Sequence, residues 1–307
     1  MPENSSLIGR LWQFPWRSAA YRRRSIYNRI FRFIPRAALP VHLPFGAWWL
    51  ARNDFMGGNL INGGFESSET NFVAQFLKPG MHFVDLGAHH GYYTLLGSRR
   101  VGKDGGVLAI EPSPREQKRL AAHLRINRCR NVQVDSRAIG EAEGSAELHL
   151  VLGRESGCNS LRKPEVAEQV ERFRVSVRRL DQVLEEHNWP NIDLLKMDVE
   201  GAELSVLRGA GQILRQHPRP VILAEVQDVR TKPWGYAAKE IISYLAALDF
   251  SWFQPLDDGS LERVDTNQDL YDGNFVAVPG ERIANIQYLM AVNSSLGQKN
   301  GRFSANN

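Results

Sequence analysis

Residues 193–204 read DLLKMDVEGAEL, an apolar run that turns abruptly acidic. Leu194, Leu195 and Met197 suit a packed strand, yet Lys196 interrupts them, and Asp198, Glu200 and Glu203 follow with Gly201 among them. Carboxylates crowded at the end of a strand can take a proton, orient a hydroxyl or hold a divalent ion. A solvated acidic turn would have the same composition, so the rest of the chain must choose between them.

A second group of such residues lies upstream. VDLGAHHGYY, residues 84–93, places Asp85, Gly87 and Gly91 around a tight turn after the apolar stretch HFVD. Glycine there lets the backbone approach a ligand, and the helix start beyond it attracts a carboxylate or phosphate. Glu111 ends the next apolar run, GVLAIE, 26 residues after Asp85. In doubly wound folds an acid at that tip binds ribose, because a carboxylate accepts two hydroxyl bonds. His89 and His90 fill the loop in place of a G-x-G-x-x-G pattern, so a nucleoside without pyrophosphate fits better than a dinucleotide. The combination points to S-adenosylmethionine.

The elements that must position these groups alternate along the chain. Asn71–Leu77 reads as a short helix ended by Pro79-Gly80, residues 82–85 as a strand, and 92–99 as a helix. Residues 106–111, 131–135, 192–197 and 220–226 read as further strands, with helices at 114–127, 181–187, 202–215 and 237–248. This β-α-β-α order argues for an α/β fold with a parallel sheet covered by helices. Residues 146–152 and 173–177 alternate like an inserted strand pair around a loop with Gly157, Asn159 and Ser160. Residues 251–255 and 274–278 read as a closing antiparallel pair around the turn at 257–259.

At 307 residues, 43% hydrophobic and 23% charged, the composition is that of an ordinary globular protein. No apolar run reaches membrane-spanning length, and the scattered arginines do not form a secretory signal. Cys129 and Cys158 stand apart, which argues for a reducing, cytoplasmic setting without a thiolate metal site. Charge is uneven: residues 1–52 hold nine arginines and one acid, for +8, and the remainder carries −4. Aromatic residues from Trp12 to Phe33 lie among those arginines. The expected division is a basic, aromatic-rich extension over 1–53, a catalytic domain over 54–292 and a disordered polar tail over 293–307. The extension either packs on the body or contacts the periphery of a membrane.

FVDLGAHHGYYTLLGS, AIEPSP, AIG at 138–140, Leu180-Asp181, DLLKMDVEGAELSVLRGA and a late AEV occur in an order that resembles the FkbM-type methyltransferase family. The likeness spans about residues 66–280 and includes Glu66; the joint occurrence of the glycine loop and K-x-D-x-E-G-x-E is specific. The resemblance implies a class I, Rossmann-like, seven-stranded sheet, mostly parallel, with S-adenosylmethionine as cofactor and a hydroxyl of a sugar or natural product as acceptor. It implies that Asp85, Gly87, Ala88 and Gly91 shape the pocket for the methionine end. Glu111 would hold the ribose, and the backbone at Ala138 would lie beside adenine. The family commonly has asparagine where this chain has His89.

In that fold the fourth strand ends beside the transferring methyl group, so Asp198 becomes the nearest candidate base and Glu200 a group that orients the acceptor. Lys196 would stabilise developing oxygen charge, neutralise the acids, or pair structurally with Glu200. The carboxylates could instead hold a divalent ion that acidifies the hydroxyl. His89 and His90 are expected to be loop residues with satisfied hydrogen bonds, and Glu203 to face solvent one turn into its helix. Glu225 would line the acceptor pocket or bond a neighbouring loop. The alternative function is a nucleic-acid methyltransferase or binding protein using the arginine arm. Against it, DVEG stands where base-amino methylation would need Asn/Asp-Pro-Pro-aromatic, and the arm lacks lysine beside a net acidic body.

Overall fold

The structure, a computed structural model, describes residues 19–291 other than 154, 155, 165, 166 and 190. In chain order, α1 is Ala19–Phe33, β1 Leu39–His42, β2 Trp48–Ala51, α2 Phe55–Asn62, α3 Ser67–Phe76, β3 His82–Leu86 and α4 Tyr92–Val101. Next come β4 (Gly106–Ile110), α5 (Pro114–Ile126), β5 (Val132–Asp135), β6 (Ala138–Ile139), β7 (Gly144–Leu152), β8 (Gln169–Arg178) and α6 (Leu180–Glu186). The chain continues through β9 (Leu194–Met197), α7 (Glu203–Gly209), β10 (Val221–Gln227), α8 (Asp228–Thr231) and α9 (Lys239–Ala246). It closes with β11 (Phe250–Pro255), β12 (Leu261–Arg263) and β13 (Asp272–Pro279).

The central sheet runs β12-β11-β13-β10-β9-β3-β4-β5. From β10 to β5 every pairing is parallel, while β13 lies antiparallel between β10 and β11. These are the seven expected strands plus a short eighth at one edge. The turn at 257–259 joins β11 to that extra strand, so β11 and β13 pair without being a simple hairpin. The cause is local: Leu256 and Ser260 close the turn, with Gly259 at φ 84.

The strand sequences explain the layering. Val84, Leu86, Leu108, Ile110, Leu195 and Met197 pack under α6, α7 and α9. Their neighbours Phe83, Val107, Leu194 and Val221 point to the opposite face, under α3 and α4. Alternation on a strand buried on both sides produces the continuous apolar runs seen in the sequence. α7 stops at Gly209, short of the expected 215, and there it abuts the backbone of Gly140, where a Cβ would lie 2.1 Å from the carbonyl oxygen. Asp181 then takes the amides of Gln212 and Ile213 at 2.9 and 3.2 Å.

The described half of the basic extension joins this core. Phe31, Val41, Leu43, Ala47, Trp49 and Ala51 share one apolar cluster with Tyr92, Leu95 and Phe72. Residues 1–18 and the expected tail at 293–307 lie outside the described residues. Among the described residues, no helix is long and apolar enough to cross a membrane.

Candidate active site

β3 and β9 are adjacent in the sheet, but the chain leaves β3 toward β4 and β5 and later leaves β9 toward β10. This is a topological switch point, where the carboxyl ends of the strands leave a crevice. A cavity of about 470 Å³ opens there, lined by Asp85, Gly87, Ala88, Glu111, Ala138, Lys196, Asp198, Glu200 and Glu225, all singled out in the sequence. Gly91 lies just behind it as the left-handed N-cap of α4, at φ 90.

At the β3–β4 end the backbone does much of the work. Gly87 and Ala88 donate their amides to the carbonyl of Ile110 at 3.0 and 3.1 Å, tying the loop to the tip of β4. Gly87 sits at φ 74, and a Cβ there would lie 1.9 Å from the carbonyl oxygen of Asp198, so only glycine fits. Buried Glu111 accepts the amide of His89 at 2.7 Å on one oxygen and that of Ser113 at 2.8 Å on the other. Burial pushes its pKa up to about 8 despite those two donors. Asp85 accepts the Thr94 hydroxyl at 2.6 Å through Oδ2, while its buried Oδ1 has no hydrogen-bond partner. Burial raises the Asp85 pKa, opposed by the Lys196 charge.

The β9–β10 end is crowded with charge. Lys196 is 5% exposed, reaches Asp198 Oδ2 at 3.0 Å and lies 4.9 Å from the centre of the Tyr93 ring. Burial alone would lower its pKa; Asp198, Asp85 and Glu66 together hold it above the ordinary lysine value. Glu200 occupies a left-handed position (φ 55) that turns its side chain to Arg230, 3.1 Å away. The expected Lys196–Glu200 pair is therefore replaced by two others, Lys196–Asp198 and Arg230–Glu200. Burial and the nearby Asp198 push Glu200 up to about 8, and they raise Glu225, whose Oε2 is buried without a hydrogen-bond partner.

Glu203 and the histidine pair depart from the expectations set by the sequence. Glu203 is 1% exposed instead of facing solvent, because its carboxylate accepts the amides of Val199 and Gly201 at 3.0 and 3.4 Å. It stabilises the turn that carries Asp198 and Glu200 from beneath. His89 and His90 stack at 3.6 Å, but His89 Nε2 and His90 Nδ1 are buried without hydrogen-bond partners. Burial pushes them down to about 3 and about 2, so both rings are neutral at pH 7. His123 supports this loop: it accepts the Leu50 amide at Nε2, which leaves Nδ1–H to donate to the carbonyl of His90 at 2.7 Å.

Some lining groups had no role that the sequence alone could assign. Tyr93 donates to Glu66 at 2.7 Å, and burial pushes Glu66 up to about 7. Phe55, Phe65, Tyr92 and Arg230 complete the walls, and the loop from Gly157 to Leu161 forms a roof. Ser160 pins that roof by donating to the carbonyl of Glu200 at 2.9 Å. The pairing of Glu66 with Tyr93 had one sequence signal, since both fall within the motif-bearing stretch. Two sets of side chains have metal-ligating spacing, Asp198/Glu200/Glu225 and His89/His90/Glu116, each with ligand atoms within 4.8 Å of one another. In each set, arginine or lysine already contacts a carboxylate.

The sheet order and the crevice at its switch point define a class I methyltransferase fold, α/β with helices on both faces. Residues 85–251 match the methyltransferase FkbM domain, and the chain belongs to that family. It is 28% identical over 142 residues to Methyltransferase 1 of Beauveria bassiana, covering 41% of this chain and 57% of that protein. It is 29% identical over 187 residues to the AMB antimetabolite synthetase AmbE of Pseudomonas aeruginosa, covering 50% of this chain and 9% of the synthetase. The O-methyltransferase of Bacillus cereus in complex with SAH superposes with a TM-score of 0.42 at 14% identity, covering 70% of this chain and 82% of that one.

Proposed function

We propose that this chain uses S-adenosylmethionine to methylate a hydroxyl on a saccharide or another small natural product. The observation that carries the reading is the meeting, in one cavity, of the amide-held Glu111 with the Lys196–Asp198 pair. The residues fit the cofactor. Glu111 keeps lone pairs for two ribose hydroxyls, the unpartnered Oδ1 of Asp85 can accept from an ammonium group, and Gly87 leaves its space without a side chain. Asp85, Gly87, Ala88 and Gly91 would then shape the methionine end, and Ala138 would lie beside adenine. When bound, the cofactor supplies an electrophilic methyl group.

The chain's own work is to position and to move a proton. Asp198 takes the proton from the acceptor hydroxyl as the oxygen gains its methyl group. Lys196, fixed on Asp198 Oδ2, holds that carboxylate in place and offsets negative charge on the acceptor oxygen. Glu200, steadied by Arg230, accepts a neighbouring hydroxyl and orients the acceptor. The roof at 157–161 limits water. A cytoplasmic setting is in keeping with two isolated cysteines.

Calorimetry with S-adenosylmethionine and S-adenosylhomocysteine tests the cofactor, with saturable binding expected for both. Release of S-adenosylhomocysteine against a collection of saccharide and natural-product hydroxyls tests the acceptor. Lack of cofactor binding would overturn the whole reading, and transfer confined to amines would overturn its oxygen specificity.

A further inference from the structure

The outward face of α1 and the residues after it take no part in the cavity. We propose that this surface docks on an anionic lipid bilayer. Between Glu3 and Asp54 the sequence has nine arginines and no acid. On α1, Tyr27 and Phe31 turn inward: the Tyr27 hydroxyl donates to Pro40 O at 2.7 Å, and Phe31 is buried. Ile26, Arg29 and Phe33 follow at spacings of three and four, which places them on a common outward stripe. Ile26 is 58% exposed, Phe33 76% and Ile34 59%, and Arg24, Arg29, Arg32 and Arg36 are exposed among them.

Large apolar side chains interleaved with guanidinium groups are what an interfacial helix needs. The apolar groups enter the boundary between headgroups and acyl chains, and the cations meet lipid phosphates. A nucleic acid would satisfy the arginines but offers no apolar phase for Ile26 and Ile34. The bilayer therefore accounts for both halves of the surface. The surface also adjoins the cavity: α1 packs on α2, whose first residue, Phe55, is 65% exposed and lines the cavity wall. Docking would thus bring the cavity toward acceptors presented at the membrane.

The test is sedimentation of the full chain with vesicles of phosphatidylglycerol and phosphatidylcholine, against phosphatidylcholine alone. It needs no methyl transfer, so its failure would leave the proposed chemistry standing. Binding is expected only to the anionic vesicles, and weaker as salt rises. Replacing Arg24, Arg29 and Arg32 with Gln together should lower partitioning on the order of a hundredfold, at about fivefold for each charge. Ile26→Ser with Phe33→Ser should lower it about tenfold or more, through lost apolar burial. All five side chains are exposed, so an unchanged thermal midpoint verifies folding. Wild-type vesicle binding by either variant would overturn the proposal, as would equal binding to both vesicle types. Binding of an RNA homopolymer that ignores the apolar substitutions, with no vesicle binding, would overturn it in favour of a nucleic-acid surface.

Discussion

At the β3–β4 end of the cavity, Glu111 has both carboxylate oxygens engaged by backbone amides, whereas at the β9–β10 end Glu225 keeps a buried oxygen without a hydrogen-bond partner. The first end is anchored by main-chain bonds between the 87–91 loop and the tip of β4. It therefore offers one preformed surface, suited to a ligand that never changes. The second end gathers Asp198, Glu200 and Glu225, countered by Lys196 and Arg230, on a turn braced by Glu203. Its geometry rests on the Lys196–Asp198 pair and on crowded carboxyls whose protonation shifts when a ligand supplies hydrogen-bond donors. The contrast is what the proposed function requires, with the cofactor held at the first end and the acceptor at the second.

The largest expected effect separates the two ends. Asp198→Asn keeps the size and removes the basicity, so turnover should fall by about two to four orders of magnitude. Cofactor affinity measured by calorimetry should stay within a few-fold. Turnover near that of the wild type would mean that the carboxylates are structural. Strict dependence on added magnesium, abolished by chelator, would recast Asp198 as a metal ligand.

Gly87→Ala should break both ends at once. The new Cβ would meet the Asp198 carbonyl oxygen at 1.9 Å, from a backbone at φ 74. A loss of stability of about 3 kcal/mol is expected from the clash and the strained conformation, read from denaturant unfolding. A neutral substitution would show that the strand tips can part freely.

Glu111→Ala acts on the first end alone. It should weaken S-adenosylmethionine binding by about 1–3 kcal/mol, the cost of leaving the ribose hydroxyls without their acceptor. Unchanged affinity in the folded variant would remove the ribose assignment.

The smallest effect is a pH dependence. Glu111 and Glu200, pushed up to about 8, and Glu66 and Glu203, pushed up to about 7, keep protons in the folded state that the unfolded chain releases near its ordinary carboxyl range. The folded state thus binds more protons above that range, so stability falls as pH rises toward 8. The buried histidines, lowered in the fold, act in the opposite direction only below about pH 6.5, where the unfolded chain protonates. Between pH 7 and 8 the carboxyls therefore decide the slope. The cofactor-free melting temperature should fall across that interval, and Glu200→Gln should flatten the fall. A flat wild-type profile would contradict the crowding at the second end.

Much of this cavity could be read from the chain because its residues sit at strand tips. An apolar run followed by an acid or glycine marks the carboxyl end of a strand, and in a parallel sheet those ends converge. Asp85, Gly87, Glu111, Asp198 and Glu200 are visible in that way, and Lys196 as a charge that interrupts an apolar run. The helix and strand order determined the class of sheet by the same local logic of period and length.

What tertiary structure decided was direction and company. Glu203 and Lys196 stand only seven residues apart in one motif, but which carboxylate meets Lys196 depends on the left-handed turn at Glu200 and on Arg230, brought in from α8. The histidine pair gave no hint that His89 Nε2 and His90 Nδ1 would be buried without hydrogen-bond partners, because the neighbours that enclose it, Glu116 and His123, arrive from α5. The basic extension showed its charge but concealed Trp49, which stacks on His123 at 3.9 Å and ties the first hairpin to the back of the 87–91 loop. Local sequence sets backbone period and charge; contacts between residues far apart in the chain exist only once the sheet has closed its order, and here they set the protonation, pairing and burial of the site.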